Sequence, residues 1–289
     1  MFPELFNTRP LRIWIDDGLN WVVKHWGDAF EAAAYPLLVM LNTIERFLLM
    51  MPWWLIIALL AGLAYGATRK VTLPIVVVIG LVFMGLMELW EDSVKTMALM
   101  ISATVTAIVF SIPMGIVMAR SSLVRKIVTP ILDLMQTMPS FVYLIPTVMI
   151  FGPGKIPALL ATIVYAAPPL VRLTDLGIRQ VEPNVLEAAQ AFGASPRQRL
   201  FGVQIPLALP TILAGINQTT MMALAMVVIA SMIGAGGLGY QVLQGIGRLE
   251  VSRGVFAGLG IVVLAIIFDR ITQAYGKQLQ AQIGLSGAR

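Results

Sequence analysis

Glu187-Ala188-Ala189-Gln190-Ala191-Phe192-Gly193, followed after a nine-residue spacer by Val203-Gln204-Ile205-Pro206, is a polar, helix-prone stretch set between long apolar segments. Its residue types suit a surface that another protein grips. Ala188 and Ala189 are small enough to let a partner approach closely. Gly193 permits a sharp exit from a short helix. Pro206 is expected to stop the loop helix before the next apolar segment. The plainer alternative is an ordinary amphipathic loop between membrane segments.

The composition outside this loop sets the class. The 289 residues are 58% hydrophobic and only 12% charged, with a mean hydropathy of +0.85. A soluble domain carries about 25% charged residues. Several apolar runs reach the roughly 20 residues that span a bilayer. The chain therefore reads as an all-α integral membrane protein. The net charge of +5 and the isoelectric point near 9.7 fit cationic membrane loops better than a nucleic-acid partner. There is no cysteine and one histidine, His25. These counts exclude a disulfide, a thiolate nucleophile and a Cys- or His-based metal cluster. Met1 to Lys24 carries scattered charges and no apolar core, so no cleavable leader is expected.

Residues 1–51 read as an N-terminal amphipathic, interfacial segment, and 52–289 as the transmembrane domain. Trp14, Trp21 and Lys24 share a face at helical spacing, which suits a headgroup boundary. The stretch from Phe30 to Met51 is apolar but holds Glu31, Asn42, Glu45 and Arg46. It is expected to lie along the membrane or the bundle, with an additional spanning helix as the alternative. Seven spans are expected near 53–68, 71–90, 96–119, 128–151, 156–178, 207–233 and 254–275. Loops after the first, third and fifth spans, with the C-terminal tail, hold Arg69, Lys70, Arg120, Arg125, Lys126, Arg179, Arg197, Arg199, Lys277 and Arg289. The opposite loops hold Lys95, Lys155, Arg248 and Arg253. The positive-inside rule then places the N-terminus outside, and the C-terminus and the loop at about 179–206 in the cytoplasm.

Prolines 113, 139, 146, 168 and 169 interrupt the spans. In lipid, carbonyls freed by proline need partners from neighbouring helices or a wet cavity. Pro139 and Pro146 bracket Ser140-Phe141-Val142-Tyr143, so span 128–151 is expected to be kinked and to line a pathway. Polar residues inside spans are costly. The candidate pathway residues are Gln136, Thr137, Pro139, Asn217 and Gln218, with interhelical hydrogen bonding as the alternative role. Arg172, Asp175 and Arg179 share a helix face, so Asp175 can pair with either arginine. Gly62/Gly66 and Gly254/Gly258 are small-residue pairs expected at close helix packing. Gly234-Ala235-Gly236-Gly237-Leu238-Gly239 matches a dinucleotide-loop spacing but follows no strand, so a flexible turn is expected. Gly152-Pro153-Gly154-Lys155 lacks most of a phosphate loop. No catalytic constellation and no ATP site are visible.

With these residues in view, the loop resembles the EAA loop of membrane subunits of ABC importers. Glu187, Ala188, Ala189, Gly193, Val203, Ile205 and Pro206 fall in register, Val203 standing where isoleucine is commoner. Four further stretches resemble the ProW-type permeases of glycine betaine and proline betaine importers: Asp133 to Pro146, Phe192 to Gln198, Gly215 to Thr219, and Met226 to Ile233. This resemblance runs from about residue 94 to 280. It implies a type I ABC importer-like transmembrane domain in a bacterial inner membrane. It further implies a homodimer, two ATPase subunits that bind ATP and Mg, a periplasmic or tethered binding protein, and no cofactor in this chain. Glu187, Ala188, Ala189, Gly193 and Pro206 would couple to the ATPase, whose closure would drive alternating access. Glycine betaine, proline betaine, choline, carnitine and trimethylamine N-oxide all remain open as substrates. An ion-gradient-driven secondary transporter is the competing reading. It would need an ionisable group near the midplane, and the spans offer no convincing acidic candidate.

Overall fold

The computed structural model describes residues 9–282, and within them the chain is helical without strands. The calls on residues 1–8 and on Arg289 lie outside the described residues. The first helix, α1 (Arg9–Met50), is followed by α2 (Trp53–Thr68), α3 (Thr72–Leu86) and α4 (Trp90–Arg120). Next come α5 (Ser122–Thr137), a 3-10 turn (Ser140–Tyr143), α6 (Leu144–Phe151) and α7 (Lys155–Arg179). The interhelical loop holds α8 (Pro183–Ala191) and α9 (Pro196–Arg199). The chain ends in α10 (Ile205–Ala230), α11 (Leu238–Gly247) and α12 (Val251–Gln282).

Packing pairs fix the direction of each helix. Ser111 donates to the Ala167 carbonyl, and a Cβ at Gly115 would meet Thr174, so α4 and α7 run parallel. The chain between them must therefore cross back, which α5 and α6 do together. Leu170 lies against Gly215 and Ala208 against Gly177, so α7 and α10 are antiparallel. Asn217 meets Asp269, and Leu213 faces Gly276, so α12 returns antiparallel to α10. Gly80 faces Val263 while Gly66 faces Tyr275, which sets α3 antiparallel to α12 and α2 parallel to it. By length and composition α1, α4, α7, the run through α10 and α12 are each able to cross a membrane. The bent pair α5 with α6 makes a sixth span if it is counted as one, whereas α2 and α3 are shorter apolar helices. The seven expected spans thus become five or six, with α1 among them. The α8 loop and the far end of α12 share one end of the bundle, and Pro52 lies at the other. Helices α2 and α3, of 16 and 15 residues, are only about 24 and 22 Å long at the α-helical rise.

Three further expectations change. The two N-terminal pieces run together as one helix of 42 residues, which Pro36 does not break. Its later half buries Ala34 and Leu41, and the helix packs against α4, α6 and α7. Glu45 in that half pairs with Lys155 at 2.7 Å, and Asn42 accepts from the same ammonium at 3.4 Å. These contacts hold polar groups that looked misplaced in an apolar stretch. Span 128–151 bends far more sharply than the expected kink: it breaks between Thr137 and Ser140, and its halves turn by 113°. Finally, Pro206 does not end a helix. A run from Pro196 to Ile233 continues through a π-turn at Leu200–Gln204, where Ile205 N–H reaches back to the Leu200 carbonyl. The wider turn gives the proline ring room that a regular turn would deny it.

The bundle is held most closely where α7 meets α4 and α10. A Cβ at Gly115 would lie 2.5 Å from Thr174 Cβ, one at Gly177 2.9 Å from Thr211 Cβ, and one at Gly215 2.9 Å from Leu170 Cδ1. Without a strong hydrophobic drive between helices in lipid, such close approach is a main source of cohesion. The expected pairs contribute less. Gly62 and Gly258 face open space, although Gly245 presses on the backbone of Gly254.

Candidate coupling and translocation site

Helix α8 starts with Pro183 at a first-turn position, where a missing N–H costs nothing, and buries none of its residues. It ends in a Schellman turn. Ala194 N–H donates to the Ala189 carbonyl at 3.0 Å, and Gly193 N–H to that of Gln190 at 2.9 Å. Gly193 takes φ +79°, a conformation that a side chain disfavours. Ser195 then caps α9 in a reciprocal capping box with Gln198. Arg199 braces the loop by donating to Gln190 at 3.1 Å. Glu187 and Ala188 face solvent, and Phe192 is 92% exposed. A large aromatic and an acid thus stand free at the tip of a well-ordered loop.

The loop is fastened to the bundle at both ends. Leu200 is buried with Ile178 at the end of α7 and with Ala208 and Ile212 at the start of α10. Asp175 takes both Nε and Nη2 of Arg179, at 2.9 and 2.8 Å. Arg172 turns away and pairs with Asp133 on α5, which resolves the shared-partner expectation for Asp175. The loop that carries α8 is thus anchored to α7 and α10 together, and Arg172 links α7 to α5.

The candidate pathway residues divide. Gln136, Thr137, Pro139 and Gln218 are exposed on the outside of this single chain. Asn217 instead ties α10 to α12: it donates to Asp269 at 3.2 Å and accepts from Thr272. Asp269 also accepts from Gln273 at 2.7 Å. Among the described residues no hydrogen bond joins the Gln136 cluster to the Asn217 cluster. Pro139 removes the N–H that would have met the Met135 carbonyl, but that carbonyl is not left open. The Tyr143 hydroxyl donates to it across the break. Tyr143 also meets Tyr165 edge-on at 5.8 Å between ring centres. The position of Tyr143 four residues after Pro139 was the available signal for this staple.

At the other end of the bundle, the glycine-rich turn 234–237 is structural. Leu238 N–H donates to Thr96 Oγ1 at 2.9 Å, and any Cβ at Gly237 would sit 2.6 Å from that oxygen. Gln241 bridges Asp92 and Arg253 beside it. Lys95 pairs with Glu91 at 2.7 Å. Among the described residues no cluster of metal-ligating side chains occurs.

The family described as binding-protein-dependent transport system inner membrane component matches residues 107–280. The glycine betaine/proline betaine transport system permease protein ProW of Escherichia coli (strain K12) is 47% identical over 273 residues, 94% of this chain and 77% of that protein. The glycine betaine/carnitine transport permease protein GbuB of Listeria monocytogenes is 42% identical over 278 residues, 95% of this chain and 98% of that one. Among solved structures, an inward-facing MetNI methionine ABC transporter is similar with a TM-score of 0.61 at 21% identity, covering 66% of this chain and 95% of its own. That likeness places the helices in the type I ABC importer fold.

Proposed function

This chain belongs to the binding-protein-dependent transport system inner membrane components, and from that premise we propose that it moves a quaternary or otherwise methylated amine across the inner membrane. It is a multi-pass permease subunit of an ABC importer. It works with a separate ATPase and a substrate-binding protein and catalyses no covalent step itself. The substrate class rests on relatives at 42–47% identity whose names carry glycine betaine with proline betaine or carnitine. In our reading two copies pair, two ATPase subunits bind ATP and Mg, and no cofactor resides in this chain.

The observation that carries the coupling assignment is α8, with none of its residues buried, closed by Gly193 and held in a loop rooted in α7 and α10. Glu187, Ala188, Ala189 and Gly193 form its docking surface, and Pro206 follows the π-turn that passes its motion on. ATP-driven closure of the ATPase pair moves α8, and α7 and α10 follow as one body. Gln136, Thr137, Pro139 and Gln218 then line the route, with Asn217 holding α10 to α12 beside it. The α8 face is cytoplasmic with the C-terminus. The N-terminus is outside, with α1 on the outer side. Its charges at Arg12, Asp16, Asp17, Lys24, Asp28 and Glu31 favour a wet boundary over hydrocarbon.

The test is co-purification with the ATPase, reconstitution with the binding protein, and uptake of labelled glycine betaine competed by proline betaine, choline, carnitine and trimethylamine N-oxide. ATP-dependent uptake blocked by at least one methylated amine is expected. Uptake driven by an ion gradient without ATP would establish the secondary-transporter reading instead.

A further inference from the structure

An open groove of about 750 Å³ lies between the α2–α3 turn and the last turns of α12. Four cations line it, Arg69, Lys70, Arg270 and Lys277, and no carboxylate does. All four are exposed, and none forms an ion pair among the described residues. Toward the bundle centre the wall turns apolar at Val76 and Ile266, both exposed. Gln278 donates to the Gly66 carbonyl at 2.9 Å and pins α12 to the end of α2, so the groove has a fixed floor. The first turn of α3 has no side-chain cap and no acidic residue, which adds its uncapped N–H groups and positive helix end. The one acid nearby in sequence, Asp269, is taken by Asn217 and Gln273.

This order of chemistry, four cations on the α2–α3 turn and along α12 with apolar side chains deeper at Val76 and Ile266, matches the order along one molecule: a phosphodiester headgroup above an acyl chain. From it we infer that the groove is a binding site for an acidic phospholipid of the surrounding membrane. Solvated loop cations would serve general membrane orientation without converging. Here the α2–α3 turn and one face of α12 bring four of them around one cavity, with no counter-ion among the described residues that line it. The acyl chain lies along Val76 and Ile266 while the phosphate sits among the guanidinium and ammonium groups. The bound lipid bridges α2, α3 and α12, whose own packing is looser than that of α4, α7 and α10.

The assembled permease–ATPase complex tests this by mass spectrometry of the lipids retained from an equimolar mixture of phosphatidylglycerol and phosphatidylcholine. Each cation beside an acidic lipid is worth roughly fivefold in affinity. Arg69→Gln with Arg270→Gln should lower the preference for phosphatidylglycerol by roughly 25-fold, and the double lysine variant should keep it. Arg12→Gln with Lys24→Gln makes the same change in net charge on α1 and should leave it intact. If the double glutamine variant aggregates, Lys70→Gln and Lys277→Gln singly give the same reading at about fivefold each. Millimolar inorganic phosphate should not displace the lipid. Displacement by phosphate would mark a free-anion site and overturn the inference. So would unchanged lipid preference in the glutamine variants, including the case where ATPase association is lost, which would make the groove a protein-docking surface.

Discussion

Helices α7 and α10 pack closely through glycine; α5 and α6 meet at a proline and turn by 113°. The two pairs carry similar apolar sequence, yet they do opposite work. In the first, Gly177 and Gly215 remove the side chains that would hold the helices apart, and Thr219 donates to the Ala166 carbonyl at 2.9 Å beside Pro168 and Pro169. The pair is packed closely along its length. In the second, Pro139 opens the backbone ladder, one tyrosine closes it, and the polar residues around the break stay exposed. In the proposed mechanism the closely packed pair transmits and the broken pair lines the route, and the placement of glycine and of Pro139 separates the two.

The largest effect is expected where the closely packed pair is driven. Gly193→Pro removes the N–H that closes α8 and forbids φ +79°. Transport should fall to background while the chain still inserts, measured as uptake against membrane-extracted protein. Next is the packing itself. Gly115→Ala forces a Cβ to 2.5 Å from Thr174 and 2.8 Å from a backbone oxygen. It should cost about 1–3 kcal/mol in thermal unfolding, whereas Gly62→Ala, facing open space, should gain up to about 1 kcal/mol. Equal behaviour of the two would erase the distinction between tight and open helix faces.

Smaller effects separate holding from lining. Asn217→Leu strips Asp269 and Thr272 of a partner and should cost about 1–3 kcal/mol of stability. Gln218→Leu, on an exposed face, should leave stability alone and slow uptake. Stability loss in both, with uptake per folded molecule unchanged, would make the whole cluster structural. Tyr143→Phe leaves the Met135 carbonyl unpartnered. It should cost about 1–2 kcal/mol, read as a shift in unfolding temperature.

What the sequence made legible follows from the range of each signal. The α8 loop was readable residue by residue because helix, glycine exit and small-residue face are local patterns. The all-helical membrane class was readable because hydropathy is a property of segments, but the span count was not: α1 is long and apolar enough to cross, while α2 and α3 are shorter apolar helices. Pairings between segments were not. Nothing in Asn217 alone announces Asp269, and the glycines that matter, 115, 177 and 215, are selected by what lies opposite them. Gly62 and Gly66 had the better motif and the emptier neighbourhood. Pro206 misled for a related reason: a proline signals a broken ladder, but a π-turn just before it absorbs the break without ending the helix.

In the proposed mechanism α8 carries the motion of ATP-driven ATPase closure into α7 and α10. Glu187 is exposed and without an ion-pair partner among the described residues, so reversing its charge alters the docking surface and little else. The direct measurement compares ATPase co-purification and ATP-dependent uptake for wild type and Glu187→Lys in the same membranes. Full insertion with loss of uptake and weakened ATPase association is predicted. Uptake and association at wild-type levels would contradict it.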